Sequence, residues 1–294
     1  MSMNYNEFIK NLKEMVNHGL GKGLKASFST VEKNNGKKEE SIEFYREGEM
    51  LHLTISLENL YGLCMESGDI WLGIQKFLEI ADTRGKVEVN DSFWSWERIK
   101  GNLSVRLVNY EWNRGRLRKL PYKRFHDLAV TFQIVLHRYG YDTVSVEVHN
   151  GMMKSWKKNT EELWTVAMNN LFKENFQIRD IDDVIEALAG VRLYEQGEGK
   201  AFCYVLTNEV QKYGAVGVFR TDLLMELAER LKQNLYIIPS SVHEILLFSD
   251  DGRNEAESLK QIVRQVNTDV VDREELLSNE LYYFSREGRV VTMI

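Results

Sequence analysis

A chain of 294 residues, 43% of them hydrophobic, carries enough apolar material for one large core or two ordinary ones, which excludes a disordered chain. Its 44 acidic and 38 basic residues leave a formal net charge of −6. That argues against a surface built throughout for nucleic acid or anionic membrane, though not against a local basic patch.

The chain opens on a marked helix. Asn4 and Glu7 have capping-box spacing, and Tyr5, Phe8, Ile9, Leu12, Met15 and Val16 share one face at helical period. Gly19, Gly21 and Gly23 end it. Three short runs with partial alternation follow, Leu24 to Lys33, Ser41 to Arg46 and Met50 to Leu57. Turns at Asn34-Asn35-Gly36 and Glu47-Gly48-Glu49 join them into a β-meander. Asp69 caps a second helix burying Ile70, Ile74, Phe77, Leu78 and Ala81. A third, from near Ser92, is expected to bury Phe93, Trp96, Ile99, Leu103, Leu107 and Tyr110. A basic stretch then runs from Arg114 to Arg124.

Beyond it the pattern becomes two strands then a helix, three times over. Leu128 to Leu136 and Val144 to His149 form a hairpin turning at Tyr139-Gly140-Tyr141-Asp142. Helices open at Asn159, with Glu162 at capping-box spacing, and at Asp180. Phe202 to Thr207 and Ala215 to Phe219 precede a helix after Thr221. Leu235 to Ile238 and Glu244 to Phe248 precede a helix capped by Asn254 with Glu257. Leu281 to Phe284 and Val290 to Met293 form a last hairpin, turning at Glu287-Gly288. Hairpin-linked strands with interspersed helices predict an α+β fold on a mostly antiparallel sheet. If the chain divides, the charged stretch is the place for it, giving 1–118 and 119–294.

These residues carry a resemblance. Asn4-Tyr5-x-Glu7-Phe8, Val31-x-Lys33-Asn34-Asn35-Gly36 and Arg124-Phe125-x-Asp127-Leu128-Ala129 are similar to segments of a known family. So are His149-Asn150, Trp156, Thr160-Glu161-Glu162-Leu163, Tyr204-Val205-Leu206-Thr207-Asn208 with Gly214-Ala215, and Pro239-Ser240-Ser241-Val242-His243-Glu244. Val263-Arg264-x-Val266-Asn267 and Leu277-Ser278-x-x-Leu281-Tyr282-Tyr283 complete the set. The family comes from gut-dwelling Gram-positive bacteria and is defined only as a domain of unknown function. Its members are often met on conjugative or integrative elements, so the resemblance implies an accessory role in the host cytoplasm. It supplies no catalytic residues.

The most reactive-looking constellation is the corner after Pro239, with Ser240, Ser241, His243 and Glu244. A hydrolytic serine needs a histidine in hydrogen-bond reach and a carboxylate on that histidine's other nitrogen. In extended backbone Ser241 and His243 share a face while Glu244 points away. A distant acid would therefore be required, and no G-x-S-x-G elbow is present. The plainer reading is a turn whose hydroxyls bond nearby backbone.

The six histidines and two cysteines show no metal-ligand spacing, which leaves only a site assembled from His149, His243 and a carboxylate. Gly19-x-Gly21-x-Gly23 follows a helix, the reverse of a dinucleotide loop's context. No cofactor is expected.

Arg114, Arg116, Arg118, Lys119, Lys123 and Arg124 are uninterrupted by any acid and flanked by Trp112 and Tyr122. They can neutralise phosphates while the rings stack on bases, or they can solvate a helix end and pair with the chain's own acids. Trp94 and Trp112 lie off the buried stripe of their expected helix.

Cys64 and Cys203 sit in apolar surroundings as free buried thiols, which fits a reducing compartment. The amino terminus lacks the basic and apolar regions of a secretory signal, and no window approaches 18 consecutive apolar residues. The expectation is therefore a cytoplasmic, non-membrane protein. It would act by binding another protein, with a Ser240 or Ser241 hydrolase and an Arg114–Arg124 nucleic-acid binder as the alternatives. His149, Asn150 and Asn208 are the further binding candidates.

Overall fold

The computed structural model describes residues 3–21, 23–46, 53–84, 94–139, 142–189, 203–239, 241–250, 252, 256–269 and 271–294. Ser92, Phe93, Ser240, Asn254 and the expected turns at 47–49 and 140–141 lie outside them. The chain divides into two compact units, Met1–Arg98 and Ile99–Ile294.

In the first unit, α1 (Tyr5–His18) is closed by the expected capping box: Asn4 Oδ1 accepts from Glu7 N, and Glu7 Oε2 accepts from Asn4 N. Gly19, Gly21 and Gly23 all have positive φ, a backbone that side chains with a Cβ rarely adopt. The meander follows as β1 (Leu24–Glu32), β2 (Lys38–Arg46) and β3 (Leu53–Ser56), paired antiparallel in that order. Next comes α2 (Leu57–Ser67), a helix that the sequence pattern does not predict. Ser56 Oγ caps it and Gly68 in αL ends it. In α3 (Ile70–Arg84), Asp69 Oδ1 accepts from Trp71 N and Leu72 N, the expected cap. Phe8, Leu12, Ile42, Phe44, Leu60 and Ile74 are the heart of one core.

The expected long third helix is α4 (Trp96–Ile99) and a 3₁₀ turn at Lys100–Asn102, followed by strand β4 (Leu103–Asn109). Leu103 and Leu107 are buried as expected, but with Val105 between them at strand period. The basic stretch contains α5 (Arg114–Leu117) and β5 (Tyr122–Phe125). Then β6 (Leu128–Tyr139) pairs with β4, β5 and β7 (Asp142–Glu147) to make a four-stranded antiparallel sheet. A cut at 118/119 would separate β4 from β6 within this sheet.

Two helices follow, α6 (Asn150–Trp156) and α7 (Thr160–Leu171), the latter opened by the expected Asn159–Glu162 box. A six-stranded sheet completes the unit in the order β13-β12-β10-β11-β9-β8, all antiparallel. Its strands are β8 (Phe176–Asp180), β9 (Cys203–Asn208), β10 (Leu235–Ile238), β11 (Ile245–Ser249), β12 (Tyr282–Ser285) and β13 (Val290–Met293). The helices between them are α8 (Ile181–Ala189), α9 (Thr221–Leu231) and α10 (Ala256–Asp269). The run Ala215–Phe219, expected as a strand, lies in a 3₁₀ turn, Gly214–Phe219. There Gly217 comes so near Phe176 and Leu206 that a Cβ would sit 3.1 Å from each.

The α+β class and the antiparallel, hairpin-built sheets are as the pattern predicts. Both cysteines are free and buried. Burial pushes the Cys64 thiol up to about 11 and the Cys203 thiol up to about 12, so both are protonated at neutral pH. Among the described residues no helix is long and apolar enough to cross a membrane.

Candidate functional site

The corner after Pro239 is tied down from three directions. Pro239 O accepts from Ser278 N at 3.0 Å, and Val242 N donates to Glu275 O at 2.8 Å. Ser241 forms an isolated antiparallel bridge with Leu276. Val242 O accepts from Ala215 N, and His243 O accepts from Thr207 Oγ1 at 2.8 Å. The return strand β11 therefore starts from backbone already fixed by β9, the 3₁₀ turn and the 275–278 segment.

The side chains are equally committed. Ser241 is buried, and its Oγ accepts from His243 N at 3.0 Å. His243 Nδ1 accepts from Tyr213 N at 3.2 Å, which leaves the neutral ring's proton on Nε2. That nitrogen faces Glu275 Oε1 at 3.4 Å. The distant acid that a hydrolytic corner would require is Glu275, which stands at the imidazole where Glu244 does not. What this arrangement lacks is a ring nitrogen directed at a hydroxyl, since one takes a backbone N–H and the other faces a carboxylate. Ser240 is outside the described residues.

Burial pushes the Glu244 carboxyl above the ordinary glutamate value, and Glu275 adds to the rise; the Ser241 hydroxyl bonded to it and the His243 ring oppose it. A carboxyl whose folded pKa is raised contributes stability that is full below the unfolded value, about 4.3, and lost as pH rises through the folded one. Glu244→Gln, which keeps an acceptor for Ser241, is therefore expected to gain stability over wild type at pH 7 and to lose that gain toward about pH 4. Melting curves at both pH values check this, and a pH-independent difference would refute the buried-charge account.

Tyr213 is the hinge of the cluster and was missed by sequence reasoning. It sits at φ 56, a left-handed backbone unusual for a bulky residue. Gln211 is also left-handed, and Asn208 clamps the loop: its Oδ1 accepts from Lys212 N and its Nδ2 donates to Lys212 O. The only local signals were Asn208, which favours such turns, and Gly214. The Tyr213 ring stacks with His243 at 5.5 Å between centroids, and the Arg106 guanidinium lies 3.7 Å from its centre.

Arg106 belongs to the polar face of the four-stranded sheet, where Ser104 pairs with Gln133 and Arg106 with Thr131. Its Nε is buried without a hydrogen-bond partner among the described residues. Burial lowers the Arg106 pKa; Tyr213, Glu147 and Glu274 act against the drop and Arg116 with it. The guanidinium stays charged all the same.

The basic stretch divides into spent and unspent cations. Arg116 is ion-paired with Glu147, and Lys123 bonds Glu161 at 2.8 Å beside the Trp164 ring. Arg124 lies 3.5 Å from the centre of the Tyr110 ring and donates to His126 O, while Arg114 pairs with Glu111 at 3.3 Å. Arg118 and Lys119 are exposed, and neither side chain has a hydrogen bond or ion pair among the described residues. Asn150 ties this segment to α6: its N donates to Lys119 O and its Nδ2 to Arg118 O. His149, the exposed N-cap residue of α6, makes no side-chain cap bond. Trp112, on the same segment, is 39% exposed, whereas Trp94 is half-buried.

Asn208 and His243 thus share one cluster, while His149 and Asn150 share another with Arg118 and Lys119. Among the described residues no three His, Cys, Asp or Glu side chains gather closely enough to hold a metal ion.

Fold and site together define an α+β protein of antiparallel sheets in which a serine–histidine corner clasps a strained loop onto a polar sheet face. The chain belongs to DUF5688, a family of unknown function whose model matches residues 5–286. Comparison with curated proteins and with solved structures returned no match.

Proposed function

We propose that this is a non-enzymatic, cytoplasmic accessory or regulatory protein that binds another protein through the surface around Trp112, Arg118, Lys119 and His149. The observation that carries the reading is the division of cations just described. Arg114, Arg116, Lys123 and Arg124 serve the chain's own acids and rings, whereas Arg118 and Lys119 face solvent, as does the 39% exposed Trp112 of the same segment. Exposed tryptophan and arginine on a rigid backbone are the residues that dominate protein interfaces, and the positive charge suits an acidic partner. The resemblance to accessory proteins of mobile elements in gut Gram-positive bacteria agrees with such a role.

Two features weigh against the alternatives. A hydrolase at Ser241 would need His243 turned toward the hydroxyl, and both ring nitrogens are otherwise engaged. A single-strand nucleic-acid platform would offer Trp112 and Tyr122 to bases, yet Tyr122 packs against Tyr110 at 5.9 Å between ring centres, which takes one of the two rings.

The test is capture of partners from the native host by wild type and by a Trp112→Ala, Arg118→Ala, Lys119→Ala variant. One stoichiometric protein should be recovered by wild type, with affinity falling by at least about tenfold in the variant, since a tryptophan anchor alone is worth about 2 kcal/mol or more. Full retention by the variant would overturn the assignment of the surface. A salt-sensitive DNA or RNA shift lost in the variant would replace it with the nucleic-acid reading, and labelling of a serine by a fluorophosphonate probe would reinstate the hydrolase.

A further inference from the structure

In the first unit, β1 is an edge of the three-stranded sheet. Successive residues of an antiparallel strand turn their backbone groups alternately to one side and the other. Lys33 N donates to Lys37 O at 2.7 Å, one step past the Glu32–Lys38 pair. Lys25, Ser27, Ser29 and Val31 therefore face β2, and Ala26, Phe28, Thr30 and Glu32 direct their N–H and C=O groups outward. Among the described residues no hydrogen bond engages those outward groups. Proteins blunt such an edge with a bulge, a proline or a central charge. Here the register runs unbroken over nine residues, and Ala26 to Val31 contains neither proline nor charge.

The side chains along this edge are unevenly satisfied. Ala26 and Phe28 lie opposite Phe44 and Ile42 and so share the core-facing side, yet Phe28 is 38% exposed. The Lys13 ammonium of α1 stands 5.9 Å from the centre of that ring. Lys13 and Glu32 are both exposed, and neither makes an ion pair among the described residues, although Glu32 stands opposite Lys38 in the ladder. An uncovered ring, a cation and an anion thus border one strand whose outward backbone groups are unbonded.

We propose that β1 is a dimerisation edge, on which a second copy of this chain adds its own β1 antiparallel about a two-fold axis at Ser29. That register sets outward-facing residues opposite one another, Phe28 to Thr30 and Ala26 to Glu32 of the second copy, so each strand satisfies the other's N–H and C=O groups. It places the second copy's Glu32 carboxylate one ladder step from Phe28, where Lys13 reaches it. The charges are therefore self-complementary, as a two-fold interface requires. On the opposite face Lys25 meets Lys33, and the pairing of Lys33 with Glu39 at 3.0 Å offsets that approach. An axis at Phe28 would instead leave Glu32 opposite Leu24, one step further from the ring that Lys13 covers. The interface lies in the first unit and does not rest on the reading of the Trp112 surface.

Sedimentation equilibrium of the full chain between about 1 and 100 μM tests this. A monomer–dimer equilibrium is expected in that range, weakening as salt screens the two ion pairs. Thr30→Pro removes an N–H that has no partner within the chain, so its melting curve should stay near wild type while dimerisation weakens by at least about tenfold. Lys13→Gln and Glu32→Gln, both at exposed positions, should each weaken the dimer about threefold or more, and together no more than either alone, because they remove the same pair. A chain still monomeric at about 100 μM would overturn the proposal and leave the edge to a strand of another protein. A dimer indifferent to Thr30→Pro would overturn the assignment of the interface to β1, and additive effects of the two glutamine changes would refute the Ser29 axis.

Discussion

Gly214→Ala is expected to destabilise the second unit by about 3–5 kcal/mol, combining overpacking with a lost buried hydrogen bond. A Cβ at this position would stand 2.3 Å from Thr207 Oγ1, 2.5 Å from His243 O and 2.8 Å from Asn208 N. Two of these neighbours are backbone atoms, which cannot rotate aside. The third is a hydroxyl that donates to one of those same atoms, Thr207 Oγ1 to His243 O at 2.8 Å. To admit the methyl, the turn at 214 must back away from both β9 and the start of β11. That breaks the Ala215 N to Val242 O bond and slackens the hold on Tyr213 next door. Against a typical total of about 5–15 kcal/mol, such a loss approaches global unfolding. Urea unfolding of wild type and variant measures it, and Thr207→Ala with Gly214→Ala should recover only part, since the carbonyl remains. A variant within about 1 kcal/mol of wild type would mean that the turn yields cheaply and that the corner is less rigid than its contacts imply.

What could be read from the sequence was whatever is settled within a few residues. Asn4 with Glu7 and Asn159 with Glu162 were legible because a capping box needs only three residues' separation. Asp69 was legible for the same reason, and the meander because its turn residues punctuate it. Residues 96–110 misled because Trp96, Ile99, Leu103 and Leu107 do fall at helical spacing. The alternation of Leu103, Val105 and Leu107 competes with it, and pairing along β6 decides for the strand. Ala215–Phe219 misled because a short apolar run has no period of its own. The corner after Pro239 was visible, but its partners were not. Glu275 returns from a segment without periodicity, Tyr213 arrives by its backbone N–H, and Arg106 comes from another sheet. No spacing in a linear chain encodes those meetings.

Asp127→Ala is expected to cost about 3–5 kcal/mol, because it removes the shared partner of a buried polar knot. Asp127 occupies the two-residue turn between β5 and β6, beside His126 at φ 55. Its Oδ2 accepts from Ser278 Oγ at 2.7 Å and its Oδ1 from the Tyr282 hydroxyl. Ser278 and Tyr282 are both 0% exposed, so neither hydroxyl has water to turn to. Burial, and then the Asp127 charge, push the Tyr282 phenol far above its ordinary pKa, which keeps it a donor. This carboxylate therefore fastens the turn of the four-stranded sheet to β12 of the six-stranded one. Asn109 Nδ2 adds a parallel tie to Leu277 O at 3.1 Å. Tyr282→Phe should cost less, about 1.5–3 kcal/mol, since Ser278 still serves the carboxylate. In a double-mutant cycle the two changes should be strongly non-additive, with a coupling of about 1–3 kcal/mol, because each removes the same bond. Additive costs would show that the hydroxyl and the carboxylate contribute separately, and the two sheets would then owe their attachment to the Asn109 tie and to packing rather than to this bond.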